Sequence, residues 1–253
     1  MDKQPVIFLD LGKMDYQSAW DYQEKLLQEN VRKKALSYKP QNVTQSEPAT
    51  SDQQPETGIQ QPATQHYLLF VEHPPVYTLG KSGDIQNVLM DENQMKAKGI
   101  EFFRTNRGGD ITFHGPGQLV GYPILDLEKF FTDIGKYLRN IEEVMIRTLA
   151  DYGIQGGRSA GETGVWLDPE IKGRERKICA IGVRSSRWIT MHGFAFNVNT
   201  DLSYFNHIIP CGISNKQVTS LEKELGKKPD FEEVKEKVKN FFAEVFQAEL
   251  VNG

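Results

Sequence analysis

The chain has 253 residues, with 30 Lys or Arg against 34 Asp or Glu, a formal charge of −4. That balance argues against a bulk nucleic-acid binder, which carries a basic face or stripe. The longest apolar runs, Leu68 to Val71 and Val6 to Leu9, fall far short of the ~20 residues that span a bilayer.

The opening MDKQPVIFLDLG shows an acidic residue at once and no signal-peptide cleavage pattern. Only Cys179 and Cys211 are present, too few for a disulfide framework, so a reducing cytoplasm is expected. The run VIFLDLG predicts a short buried strand ending at Gly12. From Tyr16 onward Ala19, Trp20, Leu26, Leu27 and Val31 follow helical spacing, with Asp15 as N-cap. Lys33 and Lys34 then sit near the negative end of the helix dipole.

Residues 39–65 differ from the rest. Pro40, Pro48, Pro55 and Pro62 recur among glutamines, and PATSDQQ is followed at once by PETGIQQ. Proline in each unit excludes a continuous helix, and the tract reads as a disordered low-complexity linker or surface insertion. As a free coil its ends would lie ~30 Å apart. The helix before it is too small to fold alone, so the expected organisation is a single domain, 1–253, interrupted by this insertion.

HYLLFVEHPPVYTLG predicts two strands broken at Pro74 and Pro75. Asp133 to Tyr152 is a helix with Ile134, Tyr137, Leu138, Ile141, Val144, Met145 and Leu149 on one face, stopped by Gly153. TGVWL, KICAIGV and RWITMHGFAFNVN read as strands. In the last, His192, Phe194, Phe196 and Val198 form a bulky face opposite Gly193, Ala195 and Asn197. Thr219 with Glu222 suggests a capping box, and Phe231 to Val245 make a closing amphipathic helix after Asp230. Irregular alternation of strands and helices predicts an α/β (α+β) fold with a mixed β-sheet and flanking helices.

Several motifs fail on counting. Gly80-Lys81-Ser82 lacks the earlier glycine of a P-loop, since Pro75 stands there. Gly115, Gly117 and Gly121 miss the dinucleotide fingerprint by one residue. Five scattered histidines make no metal-ligand cluster, and no metal or other cofactor is expected. What holds is RGGDITFHGPGQ at 107–118, where Arg107, Thr112, His114 and Gln118 stand among glycines that let backbone approach a ligand. Of the two cysteines, Cys179 lies between Ile178 and Ala180 in a strand, as a small hydrophobe. Cys211 lies in a Pro-Cys-Gly turn and is the better candidate for a reactive thiol.

RGGDITFHGPGQLVGYPILDL resembles the signature of the octanoyltransferases of lipoate biosynthesis. The likeness extends through LGKMDYQSAWDYQEKL, LLFVEHPPVYTLG, GETGVWL, RKICAIGVR and HGFAFNVNTDLSYFNHIIPCGI, about residues 10–220 apart from the tract. It implies an acyltransferase of protein lipoylation with a fold similar to the biotin and lipoate protein ligases. The implied donor is octanoyl-acyl carrier protein. The implied acceptors are lipoyl domains of 2-oxoacid dehydrogenases and the glycine cleavage H protein, with no nucleic acid or membrane partner. By the same resemblance Cys211 is the acyl-thioester nucleophile and Lys177 lowers its pKa. Substrate contacts fall on Arg107, Gly108, Gly109, Asp110, Ile111, Thr112, Phe113 and His114. Two further segments carry them as well: Ala180, Ile181 and Gly182, then Gly193, Phe194 and Ala195. The glycine-rich loop would offer N–H groups to the tetrahedral oxyanion. Cys179 stands where the family more often has a small non-thiol residue. The rival readings are an ATP-dependent lipoate or biotin ligase, a transferase working between two lipoyl domains, and a non-enzymatic lipoyl-domain binder.

Overall fold

A computed structural model describes residues 3–37, 63–209 and 217–253. In chain order the elements begin with β1 (Gln4–Lys13), α1 (Tyr16–Ser37), β2 (His66–Glu72) and β3 (Val76–Leu79). They continue with α2 (Glu92–Ala97), β4 (Glu101–Arg104), β5 (Ile111–His114), β6 (Gln118–Ile124) and α3 (Ile134–Asp151). Next come β7 (Gly156–Gly157), β8 (Val165–Leu167), β9 (Arg176–Ser186) and β10 (Ile189–Asn197). The chain closes with β11 (Gln217–Val218), α4 (Leu221–Leu225), α5 (Phe231–Phe246) and β12 (Ala248–Asn252). None of the helices among the described residues is long and apolar enough to cross a membrane.

The large sheet runs β12-β1-β2-β6-β10-β9-β8-β7, with β11 beside β9, and a small sheet runs β4-β3-β5. The pairs β1–β12, β1–β2 and β9–β11 are parallel and the rest of the large sheet is antiparallel, so the expected mixed sheet is present. Strands from both ends of the chain meet in it. One face packs Phe194, Phe196, Ile178 and Cys179 against Tyr137, Ile141 and Met145 of α3 and Val238 and Phe242 of α5. The other packs Val120, Tyr122, Met191 and Ala195 against Ala19, Leu26 and Leu27 of α1. A third core lies under the small sheet, where Tyr77, Ile111 and Phe113 meet Met95 and Ile208.

The helix ends follow local chemistry. Asp15 accepts from Ser18 N and Asp133 from Lys136 N, as their positions in the sequence suggest. Gly153 takes φ +73 after α3, the left-handed stop that a side chain resists. At α4 the cap is Ser220, accepting from Lys223 N, and not Thr219, whose hydroxyl bonds Glu224. The closing helix is followed by β12, which the sequence pattern did not suggest.

Lys34 departs most from expectation. Instead of solvating at a helix end it is buried, with Nζ 2.7 Å from Asp126 Oδ1 and 3.0 Å from Glu128 Oε2, and donates to Arg187 O. Asp126 also accepts from Thr64 Oγ1, and Asn30 exchanges two hydrogen bonds with the Gln65 backbone. Most of the 39–65 tract lies outside the described residues, but its last three residues are ordered against α1. The described residues on either side of the tract are thus tied to one carboxylate, through Lys34 of α1 and Thr64 ahead of β2. Two outcomes follow for thermal or denaturant unfolding. Asp126→Ala, which takes the nearer carboxylate from a buried ammonium and leaves Glu128 and Arg187 O, should cost about 3 kcal/mol. Removing residues 42–58 should leave stability within about 1 kcal/mol, because loop closure depends weakly on length.

Candidate active site

A cavity of about 380 Å³ lies between the α1 side of the large sheet and the loop joining β4 to β5. Its floor is β9 and β10, and two breaks in strand alternation shape it. On β9, Ala180 and Gly182 face the cavity, whereas Cys179 packs toward α3 and α5, and Ile181 touches both the cavity and that core. Strict alternation would send Lys177 the same way as Cys179. It does not, because Val165 and Trp166 stand opposite Cys179 and Lys177, leaving Ile178 as the extra residue of a bulge. Ile178 joins Cys179 in the core, and Lys177 turns onto the cavity face. Its Nζ lies 4.6 Å from the centroid of the Trp166 ring, a cation–π distance.

The second break is on β10. Phe194 pairs with Gly121, and the same register carried two residues further sets His192 opposite Pro123, which has no N–H for the ladder. His192 adopts φ +58 there, and its N–H donates to Gln23 Oε1 of α1. The ring therefore lies beside Trp20, on the α1 face, and not with Phe194 as alternation predicts. His192 lines the cavity, as do Gly193, Ala195 and Asn197.

The loop 107–110 forms one wall. Gly108 N donates to Val183 O at 2.9 Å, which docks the loop on β9. Arg107 is buried; its guanidinium donates to Thr78 O, Thr78 Oγ1, Asp110 O and Gly108 O, and so works as an internal brace. Val183 lies six residues along β9 from Lys177, roughly 20 Å at strand rise. The glycine-rich loop thus stands at the end away from Lys177, with Gly108 N and Ile111 N already bonded to Val183 O and Asp110 Oδ1. Those two N–H groups are spent on the fold.

From this wall a buried polar chain crosses the floor. Arg107 donates to Thr78 Oγ1, which lies 3.3 Å from His114 Nε2. His114 Nδ1 is 2.8 Å from Gln118 Oε1, and the Gln118 amide donates to Asn197 Oδ1 and Phe113 O. Asn197 in turn donates to Thr219 O, and Thr219 N to Lys177 O. With Gln118 Oε1 accepting, His114 carries its proton on Nδ1 and stays neutral. Burial holds its pKa well below the usual value. At the Lys177 end, the fully buried Glu142 of α3 accepts from Gly164 N and pairs with Arg139 and Arg158. That cluster anchors the loop carrying Gly161, Glu162 and Thr163, which also line the cavity.

Of the residues proposed from sequence, Lys177, Arg107, Gly109, Asp110, Ile111, Thr112, His114, Ala180, Ile181, Gly182, Gly193, Phe194 and Ala195 come together around the cavity. Gly108 and Phe113 are not among its walls. Phe113 stacks on Tyr204, 4.5 Å between centroids, inside the third core. Cys211 lies outside the described residues, but Phe205 before it and Val218 after it both line the cavity. Val218 stands opposite Lys177 in the β9–β11 register. Cys179 is fully buried, and burial pushes its thiol well above the ordinary range. Sequence reasoning missed Tyr16 and Tyr122, whose only signal is a tyrosine in an otherwise ordinary helix and strand.

The family model described as "Lipoyl protein ligase A/B catalytic domain" matches residues 15–243. The chain belongs to that family. It is 57% identical over 243 residues to the octanoyltransferase of Flavobacterium johnsoniae, covering 96% of this chain and 97% of that protein. To the octanoyltransferase of Christiangramia forsetii it is 56% identical, covering 95% of each. Among solved structures, the bi-partite lipoate protein ligase of Thermoplasma acidophilum superimposes with a TM-score of 0.66 at 16% identity, over 99% of this chain and 87% of that one. A lipoate-protein ligase A bound with ATP gives 0.65 at 15%, over 100% and 89%. These two likenesses establish the fold.

Two measurements probe this site. A methyl group on Gly182 would meet Gly108 O at 2.8 Å and Arg107 Cδ at 3.2 Å. Gly182→Ala should therefore displace the 107–110 loop, with about 1–3 kcal/mol lost in stability from overpacking and a larger loss in acyl binding. The second is acid lability. Burial lowers the pKa of His66 and His73 to about 4 and that of His192 to about 3. Below pH 6.5 the unfolded chain takes up these protons and the folded one does not, so stability falls as pH drops from 6.5 toward 4. Each histidine contributes about 2 kcal/mol of that loss by pH 5, and melting curves across this range should show a steep decline.

Proposed function

We propose that this chain is an octanoyltransferase of protein lipoylation. It takes the octanoyl group from acyl carrier protein onto Cys211 and passes it to a lysine amine on lipoyl domains. The acceptors would be those of 2-oxoacid dehydrogenases and the glycine cleavage H protein. The observation that carries this reading is the near end-to-end similarity to proteins named octanoyltransferase. The site supports it with an apolar floor at Gly193, Ala195, Ala180 and Val120, a lysine at one end, and a Pro-Cys-Gly segment whose flanks line the same cavity.

The chemistry follows from the residue types. The Cys211 thiolate attacks the thioester carbonyl, the carrier's thiol leaves, and the octanoyl group is held as a new thioester. The acceptor amine then attacks that carbonyl, the Cys211 sulfur leaves, and an amide forms. Splitting the transfer lets two bulky carriers use the site in turn. A free thiol ionises near pH ~8.5 and needs a cation beside it to react at neutral pH. Lys177 supplies that charge and gives its proton to the departing carrier sulfur, and the neutral amine so formed accepts the proton of the incoming lysine as the Cys211 thiolate is released. A thioester-to-amide step runs downhill, so no nucleotide is consumed and no cofactor takes part.

Intact mass after mixing with octanoyl-acyl carrier protein should show an octanoyl adduct, lost in Cys211→Ser and kept in Cys179→Ala. Transfer to an apo lipoyl domain should need no ATP; an absolute requirement for ATP with free octanoate would favour the ligase reading instead. Lys177→Met should move the pH midpoint of Cys211 alkylation upward, each unit being worth ~1.4 kcal/mol. A midpoint that stays put assigns the tuning elsewhere.

A further inference from the structure

The cavity has a tail end as well as a reacting end, and the residue at the tail end breaks the rules of its strand. His192 is 2% exposed and holds φ +58 in the interior of β10, where an extended strand conformation is the rule, though His, like Asn and Asp, enters that region more readily than most residues. Its Nε2 lies 2.7 Å from Asn106 Oδ1, so that nitrogen carries the proton. Its Nδ1 is buried with no hydrogen-bond partner. The backbone N–H is tied to Gln23 and the ring lies against Trp20. The imidazole is thus held from α1, from the 104–107 segment and from its own strained backbone, with one nitrogen left over.

We propose that His192 is the stop at the tail end of the acyl cavity and sets the chain length the enzyme accepts at eight carbons. This rests on the octanoyl-transfer reading above. His192 pairs with Val183, six residues and roughly 20 Å along β9 from Lys177. An extended eight-carbon chain with bonds of about 1.5 Å takes roughly 9 Å of that length. The remainder is left for the thioester head group at the Lys177 end and for the imidazole at the other. A longer chain has to push the ring off Asn106 and Trp20. A shorter one leaves methylene burial unused, about fourfold in affinity for each group.

The test is competition between acyl-carrier-protein thioesters of six to twelve carbons, read as the mass of the acyl-enzyme formed on the full chain. His192→Gly removes the ring and is at ease at positive φ. It should raise the decanoyl-to-octanoyl ratio at least tenfold, roughly the value of two methylenes. His192→Asn, which also tolerates positive φ, should shift the ratio the same way by less. A second readout needs no variant: among saturated free acids, octanoate should protect the wild-type protein from melting more than hexanoate or decanoate. An unchanged ratio in variants that still form the octanoyl adduct overturns the gauge and leaves the transferase intact. So does protection that keeps rising past eight carbons. A wild-type protein that forms no octanoyl adduct overturns the transferase reading and the gauge with it.

Discussion

Everything in the site depends on how β9 and β10 lie side by side. Paired antiparallel strands sort their side chains strictly between two faces, and here one face is committed to the α3–α5 core. Left to alternation, the other face would present Ala180, Gly182, Gly193 and Ala195, an empty apolar trough without chemistry. The bulge at Ile178 and the positive φ at His192 each rotate one polar side chain into that trough, at opposite ends. The breaks have different causes. One is an extra residue on one strand, and the other faces a proline that cannot complete the ladder. A trough between two such ends is bounded in length as well as in width.

The walls around that trough are held by groups that are polar yet neutral or internally paired. His73 bonds Met14 O and the Tyr122 hydroxyl, and His114 bonds Gln118, so both imidazoles stay neutral in the interior. Tyr16 packs against both rings, and burial raises its hydroxyl to about 12. The charge of Arg107 is taken up by three backbone carbonyls. Such pairing gives each loop a defined place in the interior. The ionic clusters stand outside it. Lys34–Asp126 clamps the end of α1, and Glu142 with Arg139 and Arg158 clamps the loop near Lys177.

Local rules made much of this legible in the sequence. Helical spacing gave α1, α3 and α5, and the capping aspartates at 15, 133 and 230 follow directly from residue type. The glycine-rich signature and the RKICAIG and HGFAF segments do converge on one cavity. What escaped was whatever depends on register between distant strands. Nothing in RWITMHGFAF says that His192 will face Pro123, and nothing in RKICA marks Ile178 as the surplus residue. Lys34 misled for a similar reason. A lysine in the last turn of a helix normally solvates, and it is drawn inside by groups distant in the chain, Asp126, Glu128 and the carbonyl of Arg187. Chain order also does not show which end of a strand a loop will dock on, and the glycine-rich loop docks at Val183.

The same sheet serves lipoate ligases, which share the fold at low identity, so the fold alone does not select the reaction. The division lies along the cavity. Its tail half is built from strand backbone, glycines and neutral histidines, and it is suited to holding a medium-length acyl chain whatever activates that chain. Its head half carries one lysine turned inward by a bulge and chain segments that line the cavity on either side of the Pro-Cys-Gly sequence. Replacing an activated nucleotide ester by a carrier thioester alters only what must happen at the carbonyl. The two ends of the cavity are thus set by different departures from strand geometry, the bulge at Ile178 at one end and the positive φ of His192 at the other.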